Sequence, residues 1–247
     1  MKRTMDELIN AIKETGYWKV IIRPFEFEET KIANRDIAMK IIESNKISFR
    51  GWDYPHIDHR SGIVFSGSDS ISSYCDWPEG GHFEFWKYYL NGQFVHYFSM
   101  LEDYEMTEKD KERANKDFFS SDLDQYKKRF LSIINALYYI TEIFSFAANI
   151  AKQANYGDKT EIIIELGNVE GRTLFFWGDH SRILHSAYTC EYQPIQKQIT
   201  VNTDELIKNP GDLSLDFTIE LFKEFNWKNA NKNVFVGDQK KLVERRF

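Results

Sequence analysis

LSIINALYYITEIFSFAANIA, residues 131–151, carries one charged side chain, Glu142, in 21 positions. Apolar residues within and before this stretch recur at alternating spacings of three and four, which is the repeat of one helix face. The pattern predicts a helix of about eight turns that begins at Ser121 or Asp124. The predicted face consists of Leu123, Tyr126, Phe130, Ile133, Leu137, Ile140, Phe144, Ala147 and Ala151.

This helix is nearly long enough to cross a bilayer, and a narrow apolar seam of this kind also builds coiled-coil dimers. Polar residues such as Asn135 and Thr141 lower its hydrophobicity, so we predict a buried helix and no membrane contact. Ile134, Tyr138 and Phe146 widen the apolar face beyond a coiled-coil stripe, which favours packing within the chain. Glu142 is expected on the exposed flank.

The segments around this helix predict an α+β fold. After it, residues 160–177, 182–192 and 197–201 have the composition of successive strands, which favours an antiparallel sheet against which the helix packs. Before it, residues 4–15 and 32–44 predict helices and residues 17–24 a strand. The charge-dense segment 102–120 divides a mixed α/β part, residues 1–119, from a helix-and-sheet part, residues 120–247, unless the chain is one continuous domain.

The aromatic segment HFEFWKYYLNGQFVHYFSML, residues 82–101, has two interpretations. Asn91-Gly92 is a typical hairpin turn, which would pair Leu90 with Gln93 and place Trp86 opposite Tyr97. Gly92 is also a typical residue after a helix end. We favour a helix over residues 82–90 followed by a strand.

The composition limits the classes of function. Aromatic residues make up 16% of the chain, and the net charge of −6 disfavours nucleic-acid binding, although local basic clusters leave it open. Cys75 and Cys190 are too few for a disulfide framework and suit a reducing cytoplasm, and the first residues lack the apolar region of a secretory signal. We interpret Cys75 as packing. The sequence has no glycine-rich phosphate loop and predicts no particular cofactor.

SFRGWDYPHIDHR, residues 48–60, is the candidate site. As chemistry, Asp53, His56, Asp58 and His59 would serve a metal-dependent hydrolase or phosphodiesterase, with Arg50 and Arg60 holding an anionic substrate. Its metal ligands would be His56, Asp58, His82 and Glu84. In the alternative interpretation the segment is only a turn, in which Gly51 and Pro55 are typical turn residues and the histidines lie on a loop in solvent. No established ligand spacing is present, so we favour the turn.

The chain resembles an uncharacterised family of bacterial proteins at GYWKVIIRPFEF, SFRGWDYPHI and FWKYYLNGQFVHYF, residues 16–27, 48–57 and 85–98. The resemblance implies a sensor or accessory subunit of a bacterial defence-type complex and carries no known activity. The aromatic excess, the long apolar seam and the lack of an organised catalytic signature lead us to expect a non-enzymatic cytoplasmic protein that docks a protein partner or a second copy of itself. The expected docking residues are Arg50, Trp52, Tyr54, Arg60 and Trp86.

Overall fold

The computed structural model describes residues 3–60, 62–116, 129–179 and 181–245 and has the α+β architecture expected from the sequence. Within these ranges the helices are α1 (Met5–Glu14), α2 (Arg35–Asn45), α3 (Glu102–Glu105), α4 (Glu108–Lys116), α5 (Ile133–Gln153), α6 (Thr203–Lys208), α7 (Pro210–Lys223) and α8 (Lys232–Val243). The strands are β1 (Tyr17–Pro24), β2 (Val64–Phe65), β3 (Ser70–Trp77), β4 (His82–Tyr89), β5 (Phe94–Ser99), β6 (Arg129–Ser132), β7 (Lys159–Gly167), β8 (Arg172–Phe175) and β9 (Ile195–Asn202).

Seven strands form one antiparallel sheet in the order β2-β3-β4-β5-β1-β7-β9. The first strand of the chain, β1, lies between β5 and β7 and so joins the two segments that the sequence analysis separated. The expected boundary between residues 119 and 120 falls outside the described residues. Strands of both predicted parts thus belong to one sheet, and the division into domains stays a prediction.

The two faces of the sheet are covered by different helices. On one face, alternate residues of β1 such as Trp18 and Val20 belong to a core that also contains most of α5. On the other face, Leu8 and Ile12 of α1 pack against Phe83 and Phe85 of β4. Strand β4 is therefore buried on both sides.

Helix α5 is the core helix of the fold. Its first turn is capped by the hydroxyl of Ser132, which accepts from the backbone N–H of Asn135 at 3.2 Å. The predicted face from Ile133 to Ala151 is buried, and packing within the chain is as expected. By length and composition α5 is apolar enough to cross a membrane, but 72% of its most apolar window is buried inside the protein, as in core helices.

The predicted start of this helix is wrong in its described part. Phe130 lies in β6, which pairs in parallel with β8, so the helix begins at Ile133. Leu123, Tyr126 and the predicted start at Ser121 or Asp124 lie outside the described residues. The residues of a short buried strand satisfy the same apolar spacing as a helical turn.

Residues 82–101 form a hairpin, so the favoured helix is wrong. Trp86 pairs with His96 rather than with Tyr97, because the turn has three residues, Leu90 to Gly92, and not two. Gly92 adopts φ +87° and donates its N–H to the carbonyl of Tyr89. A strand buried on both faces lacks polar–apolar alternation, which is why its sequence imitates a helix.

The strands predicted after α5 are only partly correct. Strands β7 and β9 pair with each other as expected of an antiparallel sheet, but β8 pairs with β6 in the separate two-stranded sheet. Residues 182–192 contribute one isolated bridge, between Thr189 and Thr173, in place of the predicted strand.

Candidate functional site

The segment 48–60 folds back onto the sheet as a docked loop. Ile47 and Tyr54 exchange two backbone hydrogen bonds of 2.8 Å, which close the loop around Gly51. The Tyr54 ring is buried among His96, Phe98 and Phe146. One aromatic side chain thus inserts the loop into the core while Trp52, 39% exposed, stays at the surface.

Two side chains of β4 hold the backbone of this loop at His56. The N–H of His56 donates to Glu84 Oε1 at 2.9 Å, and the carbonyl of His56 accepts from the Trp86 indole at 2.7 Å. Glu84 and Trp86 are two positions apart, so both point to the face of the sheet that the loop covers. The register of β4 therefore fixes where the loop lies.

Glu84 is the centre of a buried polar network. Its Oε2 lies 2.9 Å from His82 Nε2, and its Oε1 lies 2.9 Å from His96 Nε2. The second contact is electrostatic, because among the described residues His96 Nε2 has no well-aligned hydrogen-bond partner. Burial alone would raise the pKa of Glu84, but His96 and His82 outweigh burial and hold the pKa well below its usual range.

Tyr54 extends this network into the core. Its hydroxyl lies 3.1 Å from His96 Nδ1. Burial, with the nearby carboxylates of Glu84 and Glu142, raises the pKa of Tyr54 well above its usual value, so the hydroxyl is protonated. A protonated hydroxyl can donate to Nδ1, which leaves the Nε2 proton of His96 on the side of Glu84.

Arg50 and Glu142 form a second buried pair. The Nε of Arg50 donates to Glu142 Oε1 at 2.9 Å, and a second guanidinium nitrogen contacts Oε2. The guanidinium also lies over the Tyr139 ring, 4.5 Å from its centre. Burial raises the pKa of Glu142, and Arg50 offsets part of that rise. The predicted exposed position of Glu142 is wrong, since its side chain is 1% exposed.

These two networks line a pocket of about 350 Å³ between the loop, the sheet and α5. Its walls are largely aromatic, and Trp52 and Trp77 are also part of its exposed surface. The pocket is lined by Arg50, Gly51, Trp52, Asp53, Tyr54, Trp77, His82, Glu84, His96, Phe98, Leu101, Glu105, Tyr139 and Glu142. Its carboxylates outnumber its guanidinium four to one.

A larger cavity of about 820 Å³ shares Gly51, Trp52, Asp53 and Trp77 with this pocket. In its lining, one ligand atom each of His56, Asp58 and Cys75 lies within 4.8 Å of the other two. Burial lowers the pKa of His56, and burial together with Glu84 and Asp58 raises the pKa of Cys75 to about 12. Without a bound metal ion, the His56 imidazole is neutral and the Cys75 thiol is protonated at neutral pH.

The four predicted catalytic residues, Asp53, His56, Asp58 and His59, all line this larger cavity, but of these only His56 and Asp58 belong to the cluster of ligand atoms. Asp53 pairs with Lys46 at 2.8 Å and with Ser48, while His59 is exposed, with its ring 6.3 Å from that of His56. The predicted metal set also separates. His82 and Glu84 bind each other, and His56 and Asp58 group with Cys75 instead.

The predicted docking residues differ in what they offer to a partner. Trp52 and Arg60 are exposed, whereas Tyr54 and Trp86 are 4% and 0% exposed and belong to the core. Arg50 is mostly covered and faces the pocket.

Sequence reasoning missed Glu142, His96, Tyr139 and Cys75 as site residues. A signal existed for Glu142, because a lone carboxylate in an apolar helix needs a partner when it is buried. The partner, Arg50, is 92 residues away in sequence. Comparisons with models of protein families, with curated proteins and with solved structures find no match to this chain.

Proposed function

We propose that this protein binds a small, positively charged molecule with a flat apolar part in the pocket beneath the loop 48–60. The observation that carries the proposal is an aromatic-walled pocket lined by four carboxylates and one guanidinium, in which Arg50 pairs with Glu142 and Asp53 pairs with Lys46.

The size of the pocket supports a metabolite-sized ligand. Ligand pockets in proteins run from roughly 300 to 1,000 Å³, and this one, at about 350 Å³, lies at the small end. Trp52 and Trp77 are 39% and 44% exposed, so a ligand that stacks between them would remove apolar surface from water.

The charges of the lining support a cation. Glu84 is ionised and Glu105 is exposed, while the Arg50 guanidinium is paired with Glu142. Aromatic faces attract cations through their ring quadrupole, and nearby carboxylates add to that attraction. The same carboxylates disfavour a phosphate group in this pocket.

The geometry gives less support to the docking of a protein partner. Two of the five expected docking residues, Tyr54 and Trp86, are buried, and Arg50 is engaged with Glu142. Trp52 remains available, but its position in the wall shared by both cavities favours a ligand beside it. A partner protein, a second copy and a cytoplasmic location stay predictions.

The test compares three probes that share a phenyl ring and differ in charge, namely phenethylamine, 2-phenylethanol and phenylacetate. Isothermal titration at pH 7 should give the tightest binding for phenethylamine, by about tenfold or more over phenylacetate. Equal or tighter binding of phenylacetate, or no binding of any probe, would contradict the proposal.

Two variants separate the ring contact from the charge contact. Trp77→Ala should weaken all three probes, while Phe27→Ala, an exposed aromatic that lines a different cavity, should weaken none. Glu105→Gln should weaken phenethylamine and leave 2-phenylethanol unchanged. If Glu105→Gln weakened both probes alike, the role given to charge would be wrong.

A further inference from the structure

We propose that His56, Asp58 and Cys75 bind a divalent transition metal ion, zinc by the chemistry of the donors, in the larger cavity beside the pocket. This site is independent of the proposed function, because none of its three donors lines the ligand pocket. It also differs from both residue sets expected from the sequence, since the third donor is a cysteine on the sheet.

The positions of the donor atoms support coordination. Each residue offers one ligand atom, and the three atoms lie within 4.8 Å of one another. Ligands held at zinc distances in a tetrahedron are separated by roughly 3.3 to 3.8 Å. Small side-chain rotations would close the difference without moving the backbone.

The backbone that carries these donors is fixed on two elements. His56 is held on both sides of its α-carbon, by Glu84 at its N–H and by Trp86 at its carbonyl. Cys75 lies on β3 directly opposite Glu84 in the register with β4. The residue that anchors the loop is thus the cross-strand neighbour of the cysteine, which brings His56 to Cys75.

The side chains of the donors are also constrained. The ring of His56 stacks on Trp52 with centres 3.8 Å apart, and Asp58 Oδ1 accepts from the backbone N–H of Arg60 at 2.7 Å. Asp58 and Cys75 are 8% and 3% exposed. Donors that are held near one another on a fixed backbone lose less conformational entropy on binding an ion than donors on a flexible segment.

The donor set selects among metals. A thiolate with an imidazole and a carboxylate suits zinc, whereas magnesium and calcium prefer oxygen ligands alone. Cys75 would bind as the thiolate, and its proton would leave to solvent. Three protein donors would leave one position of a tetrahedral site open, as in catalytic rather than structural zinc sites.

The first test uses cobalt as a spectroscopic substitute for zinc in the full chain, purified without a histidine tag. Titration should saturate at one equivalent of cobalt and produce a thiolate-to-cobalt absorption band. Cys75→Ser should lose the band, and His56→Gln and Asp58→Asn should bind cobalt at least about tenfold more weakly.

The matched controls are the other cysteine and the neighbouring histidine. Cys190→Ser and His59→Gln should keep the band and the affinity of the unmodified chain. Absence of cobalt uptake by the unmodified chain, or a band that survives Cys75→Ser and disappears in Cys190→Ser, would overturn the proposal.

A second measurement needs no variant and so does not depend on how variants fold. X-ray absorption at the zinc edge of the unmodified, zinc-loaded protein should show one sulfur and two or three nitrogen or oxygen neighbours. A shell without sulfur, or with two sulfurs, would overturn the proposal. Neither outcome bears on phenethylamine binding, which tests the pocket separately.

Discussion

At the scale of single residues, Arg50 and Glu142 form a largely buried ion pair in the wall of the pocket. Glu142 is 1% and Arg50 21% exposed, so removing the carboxylate leaves a mostly covered guanidinium without its counter-charge. We expect Glu142→Gln to lower the free energy of unfolding by about 2–3 kcal/mol, measured by urea denaturation.

The control for this prediction is a surface pair in another helix. Glu220 pairs with Lys223 and both side chains are exposed, so Glu220→Gln should change the free energy of unfolding by less than about 0.5 kcal/mol. The double variant Arg50→Met, Glu142→Leu should lose less stability than Glu142→Gln alone. Equal losses from Glu142→Gln and Glu220→Gln would contradict the buried pairing.

Glu84 makes stability depend on pH in a predictable direction. Its folded pKa is held well below the ordinary value of 4.5, against burial, by His96 and His82. A carboxylate whose pKa is lower in the folded than in the unfolded protein stabilises the fold. This stabilisation is fully present above the unfolded pKa and is lost as the pH falls toward the folded pKa. The stability difference between the unmodified chain and Glu84→Gln should therefore shrink as the pH falls below about 4.5.

Urea denaturation at pH 7, 5, 4 and 3 measures this difference. The surface variant Glu220→Gln serves as the control and should follow the unmodified chain at each pH. A difference between the unmodified chain and Glu84→Gln that does not shrink below pH 4.5 would show that the imidazoles do not stabilise the Glu84 carboxylate.

At the scale of elements, the β4–β5 hairpin positions Glu84 and Trp86, which hold the backbone of the loop 48–60 at His56. Gly92 in its turn has φ +87°, and an added Cβ would lie 3.3 Å from both Pro24 and Tyr156. We expect Gly92→Ala to lower the free energy of unfolding by about 1–2 kcal/mol, because a left-handed backbone is costly for residues with a Cβ.

The control for the turn is a glycine in open space. Gly237 lies within α8, is exposed and has no atom within 4 Å of an added Cβ. Gly237→Ala should raise the free energy of unfolding by about 0.5–1 kcal/mol, since alanine favours helix. A Gly92→Ala variant as stable as the unmodified chain would contradict the turn geometry.

The sequence was sufficient for elements with one buried face and insufficient for those with two. Helix α1 and strand β1 lie where their patterns predict them, at Met5–Glu14 and Tyr17–Pro24. Strand β4, covered by α1 on one side and by the core on the other, has no polar–apolar alternation, so its sequence favours a helix instead. Periodicity reports the burial of one face, and it fails where both faces are covered.

The residues of the candidate site that are distant in sequence could not be predicted either. The loop 48–60 was recognised as unusual from its composition, and His56 and Asp58 do lie together. Their neighbours were not predictable, because Glu142 and Cys75 reach the loop only through the packing of α5 and the pairing of β3 with β4. Contacts that arise from tertiary packing are not indicated by any regular residue spacing in the sequence.

At the scale of the whole molecule, β1 joins strands of the N-terminal part and of the C-terminal part of the chain in one sheet. Trp18 lies in the first segment and Trp177 and Trp227 in the second, and all three belong to or pack against one core. We expect tryptophan fluorescence and far-ultraviolet circular dichroism to report one urea transition with the same midpoint. Two separated transitions would instead indicate two independently stable parts.

The central claim is that a small cation binds beneath the loop 48–60, and the side-chain N–H signals of the six tryptophans test where it binds. During titration with phenethylamine, ¹H–¹⁵N spectra should show the largest shifts for Trp52 and Trp77 in the pocket wall. Trp227, which lies in a separate ring cluster with Tyr188, Phe222 and Phe235, should stay in place. Shifts confined to Trp227, or no shift at saturating phenethylamine, would contradict the account.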